Sequence, residues 1–186
     1  MKTYPFLIFF GLLLACGGPE PRKPVEVRSG SFMEESVARS RELLAREESL
    51  IREIIRQDSI HDYQSSAAGS WYYYHEKNDT ATYTPKAGDL VTIRFDILSL
   101  NNDTIYRADE IGDLEYLVDK EDRDMLFPGL RSSVKMLKEA ETATFLFPSS
   151  LAYGYPGDKA RIGANIPLKS TITILEIQKQ QDSVQN

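Results

Sequence analysis

The sequence predicts an α+β protein with one antiparallel sheet, one short helix and a longer amphipathic helix before them. Residues 90–98, 142–147 and 171–175 alternate apolar with polar side chains, the two-residue period of half-buried strands. Between residues 31 and 63, apolar side chains recur at intervals of three, four and seven, which is typical of an amphipathic helix. A shorter helical spacing, at Leu130, Val134 and Leu137, lies between the strand patterns.

The first fifteen residues have the pattern of a signal peptide. Lys2 precedes an apolar run at residues 6–15, which is too short to span a bilayer as a helix. Leu13-Leu14-Ala15-Cys16-Gly17 resembles the bacterial lipobox, in which the cysteine is lipidated and becomes the first residue of the mature protein. Cys16 is the only cysteine, so an exported chain has no internal disulfide to form. The alternative is an ordinary cleavage site beside an incidental cysteine.

These features predict a lipoprotein of the bacterial cell envelope, anchored to a membrane through Cys16 and facing the periplasm or the outside. The net charge of −6 leaves no basic footprint, so we expect no nucleic-acid partner. The same charge gives no attraction to anionic lipid. Attachment is therefore expected to come from the acyl chains alone.

Residues 16–30 read as a tether, since this short stretch holds three prolines and little to bury. The amphipathic helix is predicted over residues 31–66, with Ser31 near its start and the Ser-Ala-Gly run at 65–69 as its stop. Two alternatives stay open for its apolar face: residues 31–63 contact their own domain or a partner. We expect this helix to be dispensable for the fold of the domain that follows.

The main domain is predicted over residues 69–180, with a polar tail at 181–186. Aromatic residues 71–75 and residues 104–107 read as further strands. Pro128 opens a short helix of about three turns. The charged run at 119–124 lacks the mid-loop glycine and closing glutamate of a calcium-binding loop, so we expect no metal there. The long loop between the last two strands holds enough apolar side chains to form a binding wall.

Two motifs in this domain resemble the FKBP-type peptidyl-prolyl isomerases. Pro148-x-x-Leu-Ala-Tyr153-Gly154, followed by Ile166-Pro167 and a closing strand, is similar to the C-terminal half of that family, and residues 88–95 are similar to its first core strand. The resemblance covers roughly residues 71–178. It implies five to six antiparallel strands curled around the short helix, with an apolar groove between them, and no cofactor.

The resemblance also assigns roles within this predicted groove. Four residues are expected to act on the peptide: Tyr153, Phe127, Phe95 and Tyr106. Five more are expected to bind substrate: Tyr116, Leu126, Leu130, Ile166 and Ile174. The Tyr153 hydroxyl and the Phe127 backbone N–H would hold the peptide carbonyls. Three positions depart from the family pattern: Arg107 stands where Asp is favoured, Leu130 where an aromatic floor is usual, and Phe95 where Tyr is usual.

The expected function is isomerisation of X-Pro bonds in proline-containing polypeptides of the cell envelope. The chain contains no His-Glu-x-x-His, Gly-x-Ser-x-Gly or phosphate-binding loop motif, which argues against metal-dependent, serine-nucleophile and phosphoryl chemistry. One alternative is an FKBP-like binding or chaperone module with little turnover. Another is a structural lipoprotein that uses the groove as an adaptor. Lipobox, helix and a single domain together are similar to the gliding-motility-associated isomerase lipoproteins.

Overall fold

The computed structural model describes residues 29–120 and 125–180. The predicted signal peptide, Cys16, most of the tether, part of the charged run and the polar tail lie outside the described residues. The chain divides into two compact units, Met1–Ser36 and Val37–Asn186. In the first unit, the described residues are the opening turns of helix α1, which spans Ser29–Gln57.

Within the second unit, helix α1 presents one face to the interior. Glu47 is 6% exposed and Ile51 is completely buried, four residues further along the same face. The outer face has ion pairs between side chains three or four residues apart, such as Arg46 with Glu42 and Arg52 with Glu48. The buried Ile51 contradicts the expectation that this helix is dispensable, because removing it would uncover part of the core.

Helix α1 ends at Gln57, earlier than the predicted residue 66. The Asp58 carboxylate causes the turn: it accepts hydrogen bonds from the backbone N–H groups of Ile60 and His61 and from the Tyr63 hydroxyl. Such a side chain competes with continued helical bonding. Strand β1 (Gln64–Ser65) then starts the sheet before the predicted domain boundary at residue 69.

Among the described residues the sheet has eight strands, all paired antiparallel. The remaining seven are β2 (Trp71–Glu76), β3 (Leu90–Phe95), β4 (Ile97–Ser99), β5 (Thr104–Tyr106), β6 (Leu114–Leu117), β7 (Thr142–Phe147) and β8 (Leu168–Gln178). The main order is β1-β2-β7-β8-β3-β6, with β4 pairing both β5 and β8. The α+β class with an antiparallel sheet and an N-terminal helix is confirmed. The number of strands exceeds the predicted five to six. The two-residue strand β1 has no predicted counterpart, and the strand predicted at 90–98 is divided in two.

Asp96 divides that strand into β3 and β4. Its carboxylate accepts the Thr171 backbone N–H at 2.7 Å, and its carbonyl oxygen accepts the Ser170 hydroxyl at 2.6 Å. A side-chain bond therefore takes the place that a backbone ladder bond would fill, and the strand is interrupted there. Burial raises the pKa of Asp96, and the Thr171 N–H bond opposes that rise.

The core lies between the sheet and helix α3 (Pro128–Val134), which has Pro128 in its first turn. The Met136 N–H bonds to the Ser133 carbonyl, a tight turn that ends the helix after two turns, shorter than the predicted three. A four-residue helix α2 (Ala108–Ile111) follows β5. Across residues 29–120 and 125–180, none of the helices combines the length and apolar character needed to cross a bilayer.

Candidate active site

A cleft of about 630 Å³ opens between the start of helix α3 and the loop at residues 148–167. This size lies in the range of small-ligand pockets. The side of the cleft formed by helix α3 and the residues before it is mostly apolar, whereas charged side chains lie along the loop side and the first turn of the helix. Its lining residues are Leu126, Phe127, Pro128, Arg131, Ser150, Ala152, Tyr153, Gly154, Pro156, Gly157, Asp158 and Lys159.

Phe127 forms the wall at the start of helix α3. Its backbone is extended, with φ −62° and ψ 160°, because Pro128 follows and disfavours a helical conformation before it. Its ring lies edge-on to Phe147 at 5.1 Å and inclined to Tyr153 at 5.3 Å, measured between ring centroids. Among the described residues, no acceptor takes the Phe127 backbone N–H. The role that the resemblance implies for this group, as a donor to a peptide carbonyl, stays a prediction.

Tyr153 lies on a loop in which one carbonyl accepts two hydrogen bonds. The Ser149 carbonyl oxygen accepts the N–H groups of Ala152 at 3.0 Å and of Gly154 at 2.9 Å, the two residues that flank Tyr153. Gly154 has φ +56°, a left-handed conformation that glycine adopts without strain. The Tyr153 hydroxyl donates to the Met125 carbonyl oxygen at 3.2 Å. A peptide carbonyl that takes this hydroxyl must therefore replace an existing bond.

Asp158 organises the far side of the loop. Its carboxylate accepts the Tyr106 hydroxyl at 2.5 Å and the backbone N–H groups of Ile162 at 2.7 Å and Ala160 at 2.8 Å. Burial alone would raise the pKa of Asp158, but these hydrogen bonds outweigh it and hold the pKa below its ordinary value. The bond to Asp158 is also the main cause of the raised pKa of Tyr106.

Arg161 closes this side of the site over Tyr106. Its guanidinium carbon lies 4.7 Å from the Tyr106 ring centroid, a cation–π contact. The same guanidinium bonds to the Glu110 carboxylate and to the Ile105 carbonyl oxygen.

Gly157 has φ +63°, and a Cβ there would lie 2.3 Å from the Ile162 carbonyl oxygen. Only glycine therefore fits this turn without moving the backbone.

Three of the nine residues predicted for the groove line the cleft: Leu126, Phe127 and Tyr153. Tyr106 is joined to the cleft through its bond to Asp158. The structure places four others, each completely buried, in the core cluster that includes Leu126 and Phe127, and they are absent from the cleft lining: Phe95, Tyr116, Leu130 and Ile174. Their inward-facing positions in the sheet and helix α3 explain their burial, and their roles in substrate binding stay predictions. Ile166 is 38% exposed on the loop and also lies outside the lining.

Sequence reasoning missed the charged residues of the cleft, Arg131, Asp158 and Lys159. The available signal was the Gly157-Asp158 pair, which is typical of a turn whose carboxylate bonds to nearby backbone N–H groups. Arg107 lies elsewhere: it lines a second, charged cavity with Arg94 and Asp96, and its guanidinium is 3.4 Å from Asp109. The departure at Arg107 therefore leaves the cleft lining itself unchanged.

The cleft lacks the groups of several common reaction classes. Among residues 29–120 and 125–180, no three His, Cys, Asp or Glu side chains come together as a metal-binding cluster. Neither described histidine lies in the cleft lining: His61 stacks on Tyr73 and His75 bonds the Thr144 hydroxyl. The cleft offers apolar surface, fixed hydrogen-bond donors and a few charges at its rim.

No family model matches the sequence, and no curated protein matches it. Solved structures do resemble it. A peptidyl-prolyl cis-trans isomerase from Pseudomonas syringae pv. tomato has a TM-score of 0.58 at 15% identity, over 75% of this chain and 96% of that one. FkpA from Escherichia coli has a TM-score of 0.57 at 18% identity, over 96% of this chain and 84% of that one.

The N-terminal domain of FKBP42 from Arabidopsis thaliana has a TM-score of 0.57 at 15% identity, over 66% of this chain and 96% of that one. These three likenesses show that the chain has the fold of the FKBP-type peptidyl-prolyl isomerases. The fold class expected from the two sequence motifs is thereby confirmed.

Proposed function

We propose that this protein is a peptidyl-prolyl cis-trans isomerase acting on X-Pro bonds. The supporting observation is the cleft itself: on an FKBP-type fold, the rings of Phe127 and Tyr153 pack together at 5.3 Å and both line a cleft of about 630 Å³, which is large enough for a prolyl ring and its neighbours. The sequence resemblance implies that both residues act on the peptide.

The chemistry needs no nucleophile, base or metal. Amide resonance sets the barrier to rotation at ~18–20 kcal/mol. A dry apolar wall removes water from the prolyl carbonyl, so the planar amide loses more solvation than the twisted one. Fixed donors then hold the flanking peptide in place, which stabilises the transition state more than the ground state. Lowering the barrier by about 1.4 kcal/mol gives a tenfold higher rate.

The experiment measures isomerisation of X-Pro tetrapeptides by the purified protein, with different residues before the proline. We expect acceleration in proportion to enzyme concentration, a preference for an apolar residue before the proline, and competitive inhibition by an FKBP-directed macrolide. Absence of acceleration at micromolar protein, for every peptide in the series, contradicts the proposal.

A second candidate is a binding or chaperone module with little turnover. The bond from the Tyr153 hydroxyl to the Met125 carbonyl favours it, because a substrate must displace this bond before the hydroxyl can act. Leu130, where the family usually has an aromatic floor, points the same way. Calorimetric binding of proline peptides without acceleration of their isomerisation would support the module over the enzyme.

The proposal includes a membrane anchor at Cys16 and clients in the bacterial cell envelope. It rests on the lipobox-like residues 13–17 and on the apolar run before them. Uncatalysed prolyl isomerisation takes tens of seconds or more, so folding of exported chains can wait on it. An anchored isomerase would keep the activity where those chains fold.

The narrower proposal is a role in gliding motility, supported by the similarity of the whole architecture to the gliding-motility-associated isomerase lipoproteins. The test is colony spreading of a deletion strain of the source bacterium, complemented with wild type or with Cys16→Ser. Wild-type spreading by the deletion strain would contradict the motility role while leaving the isomerase proposal in place.

A further inference from the structure

Glu47 on helix α1 is an unusual residue for the interior of a protein. It is 6% exposed, and its Oε2 accepts the backbone N–H of Ser149 at 2.8 Å, across 102 positions of the chain. Its Oε1 is buried and has no hydrogen-bond partner among the described residues. Burying a carboxylate oxygen without a hydrogen-bond partner destabilises the folded state. A contribution to stability therefore does not by itself explain Glu47 at this position.

The bond from Glu47 ends at the residue that holds the Tyr153 loop. Ser149 is fixed at its N–H by Glu47, and its carbonyl accepts the N–H groups of Ala152 and Gly154 on either side of Tyr153. Helix α1 is therefore connected to the Tyr153 loop through the Glu47–Ser149 hydrogen bond and the Ser149 carbonyl.

The Ser149–Leu151 turn is confined from another direction by helix α3. A Cβ on Gly129 would lie 2.8 Å from the Leu151 carbonyl oxygen and 2.5 Å from the Phe147 ring, so the helix backbone and the turn are in close contact. Rotation of the turn would have to displace helix α3 or break the Glu47 bond. Glu47 is the contact that can be removed without changing the cleft lining.

We propose that Glu47 is a positioning residue for the cleft, setting the Tyr153 loop from helix α1. The effect on kcat rests on the proposed isomerase function, whereas the effect on the structure of the Tyr153 loop does not. It makes helix α1 a part of the site, through which a change in the helix could alter turnover.

The test compares Glu47→Leu and Glu47→Gln in the full chain. Leucine fills the space but cannot accept the Ser149 N–H, whereas glutamine keeps an acceptor oxygen. We expect Glu47→Leu to lower kcat about three- to tenfold with a smaller change in KM, as expected for loss of one hydrogen bond. Glu47→Gln should stay within about twofold of wild type. Glu42→Leu is the matched control, because Glu42 lies on the same helix, 64% exposed.

Stability separates positioning from a structural role. Glu47→Leu removes the unsatisfied buried oxygen but leaves the buried Ser149 N–H without its acceptor. Because these two effects oppose each other, its melting temperature should change less than that of Ile51→Ala while its kcat falls. Ile51→Ala, which empties a completely buried position on the same helix, should melt lower with kcat retained at temperatures well below its transition. Full kcat in Glu47→Leu, or a loss of kcat in Ile51→Ala equal to that in Glu47→Leu, would overturn the proposal.

Amide hydrogen exchange at Ser149 provides the readout that does not depend on turnover. Faster exchange at Ser149 and Gly154 in Glu47→Leu, with wild-type rates in Glu47→Gln, is the expected result. If the wild type does not accelerate isomerisation, the proposed function fails, and exchange still decides whether Glu47 fixes the loop. Unchanged exchange in Glu47→Leu would refute the positioning role whatever the activity.

Discussion

The Tyr106 hydroxyl donates a 2.5 Å hydrogen bond to the Asp158 carboxylate, joining strand β5 to the loop that borders the cleft. Asp158 also receives two backbone N–H groups of its own loop, so one ionised side chain holds both the loop and its attachment to the sheet. The low pKa of Asp158 follows from these bonds, which outweigh the effect of burial.

Replacing Asp158 by asparagine should therefore reduce the acid sensitivity of the protein. A carboxylate whose folded pKa is depressed contributes stability above its unfolded pKa, near 3.8, and this contribution is lost as the pH falls through the folded pKa. The difference in Tm between wild type and Asp158→Asn should be full above about pH 5 and shrink towards zero in stronger acid. Thermal unfolding from pH 7 to pH 2 measures it, and a difference independent of pH would contradict it.

Tyr153→Phe tests the hydroxyl in the cleft. Loss of one neutral hydrogen bond, about 0.5–1.5 kcal/mol, should lower kcat/KM about two- to tenfold. Tyr155→Phe is the control, because Tyr155 lies two residues away and is 81% exposed. Equal rates for wild type and Tyr153→Phe would show that the hydroxyl stays on the Met125 carbonyl during turnover.

Ile51→Ala tests whether helix α1 is part of the core. Because Ile51 is completely buried, its truncation should lower the free energy of unfolding by about 2–5 kcal/mol. Its neighbour Leu50 is 51% exposed, so Leu50→Ala should change the free energy of unfolding by no more than about 0.5 kcal/mol. Urea unfolding of both variants measures the contrast. Similar losses for the two would mean that helix α1 does not rest on the domain.

Cys16→Ser tests the proposed anchor. Wild type should incorporate labelled fatty acid and partition into detergent, whereas the variant should do neither, because a serine hydroxyl is not a substrate for thioether attachment of lipid. A variant that stays membrane-bound, beside a wild type that takes up no label, would contradict the lipoprotein proposal.

The sequence predicted best where alternation or a local motif determines structure. Strand β7 begins and ends where the alternation at residues 142–147 places it, and Tyr153 lies in the cleft as the surrounding motif implies. Glu47 could not be recognised in this way. Its position fits the helical pattern of charged residues, and its partner is 102 residues away.

The predicted groove residues show a related limit. Phe95 and Leu130 were assigned by correspondence with a family, which identifies neighbours of a site without giving their depth. Whether such a residue lines a cleft or supports it from behind depends on the side chains in front, here Leu126 and Phe127, which line the cleft. The break at Asp96 also could not be predicted from local sequence, because it depends on bonds to Ser170 and Thr171, far along the chain.

The position of strand β8 determines when the sheet can form. It is the last strand in sequence order among the described residues and pairs with β7, β3 and β4, so without residues 168–178 the sheet separates into three parts. Strand β2 likewise pairs with β7, joining Trp71 to Leu146. Pairings this distant close long loops before they gain any contacts, so the sheet should be completed only after residues 168–178 have been synthesised, and the domain should fold slowly for its size.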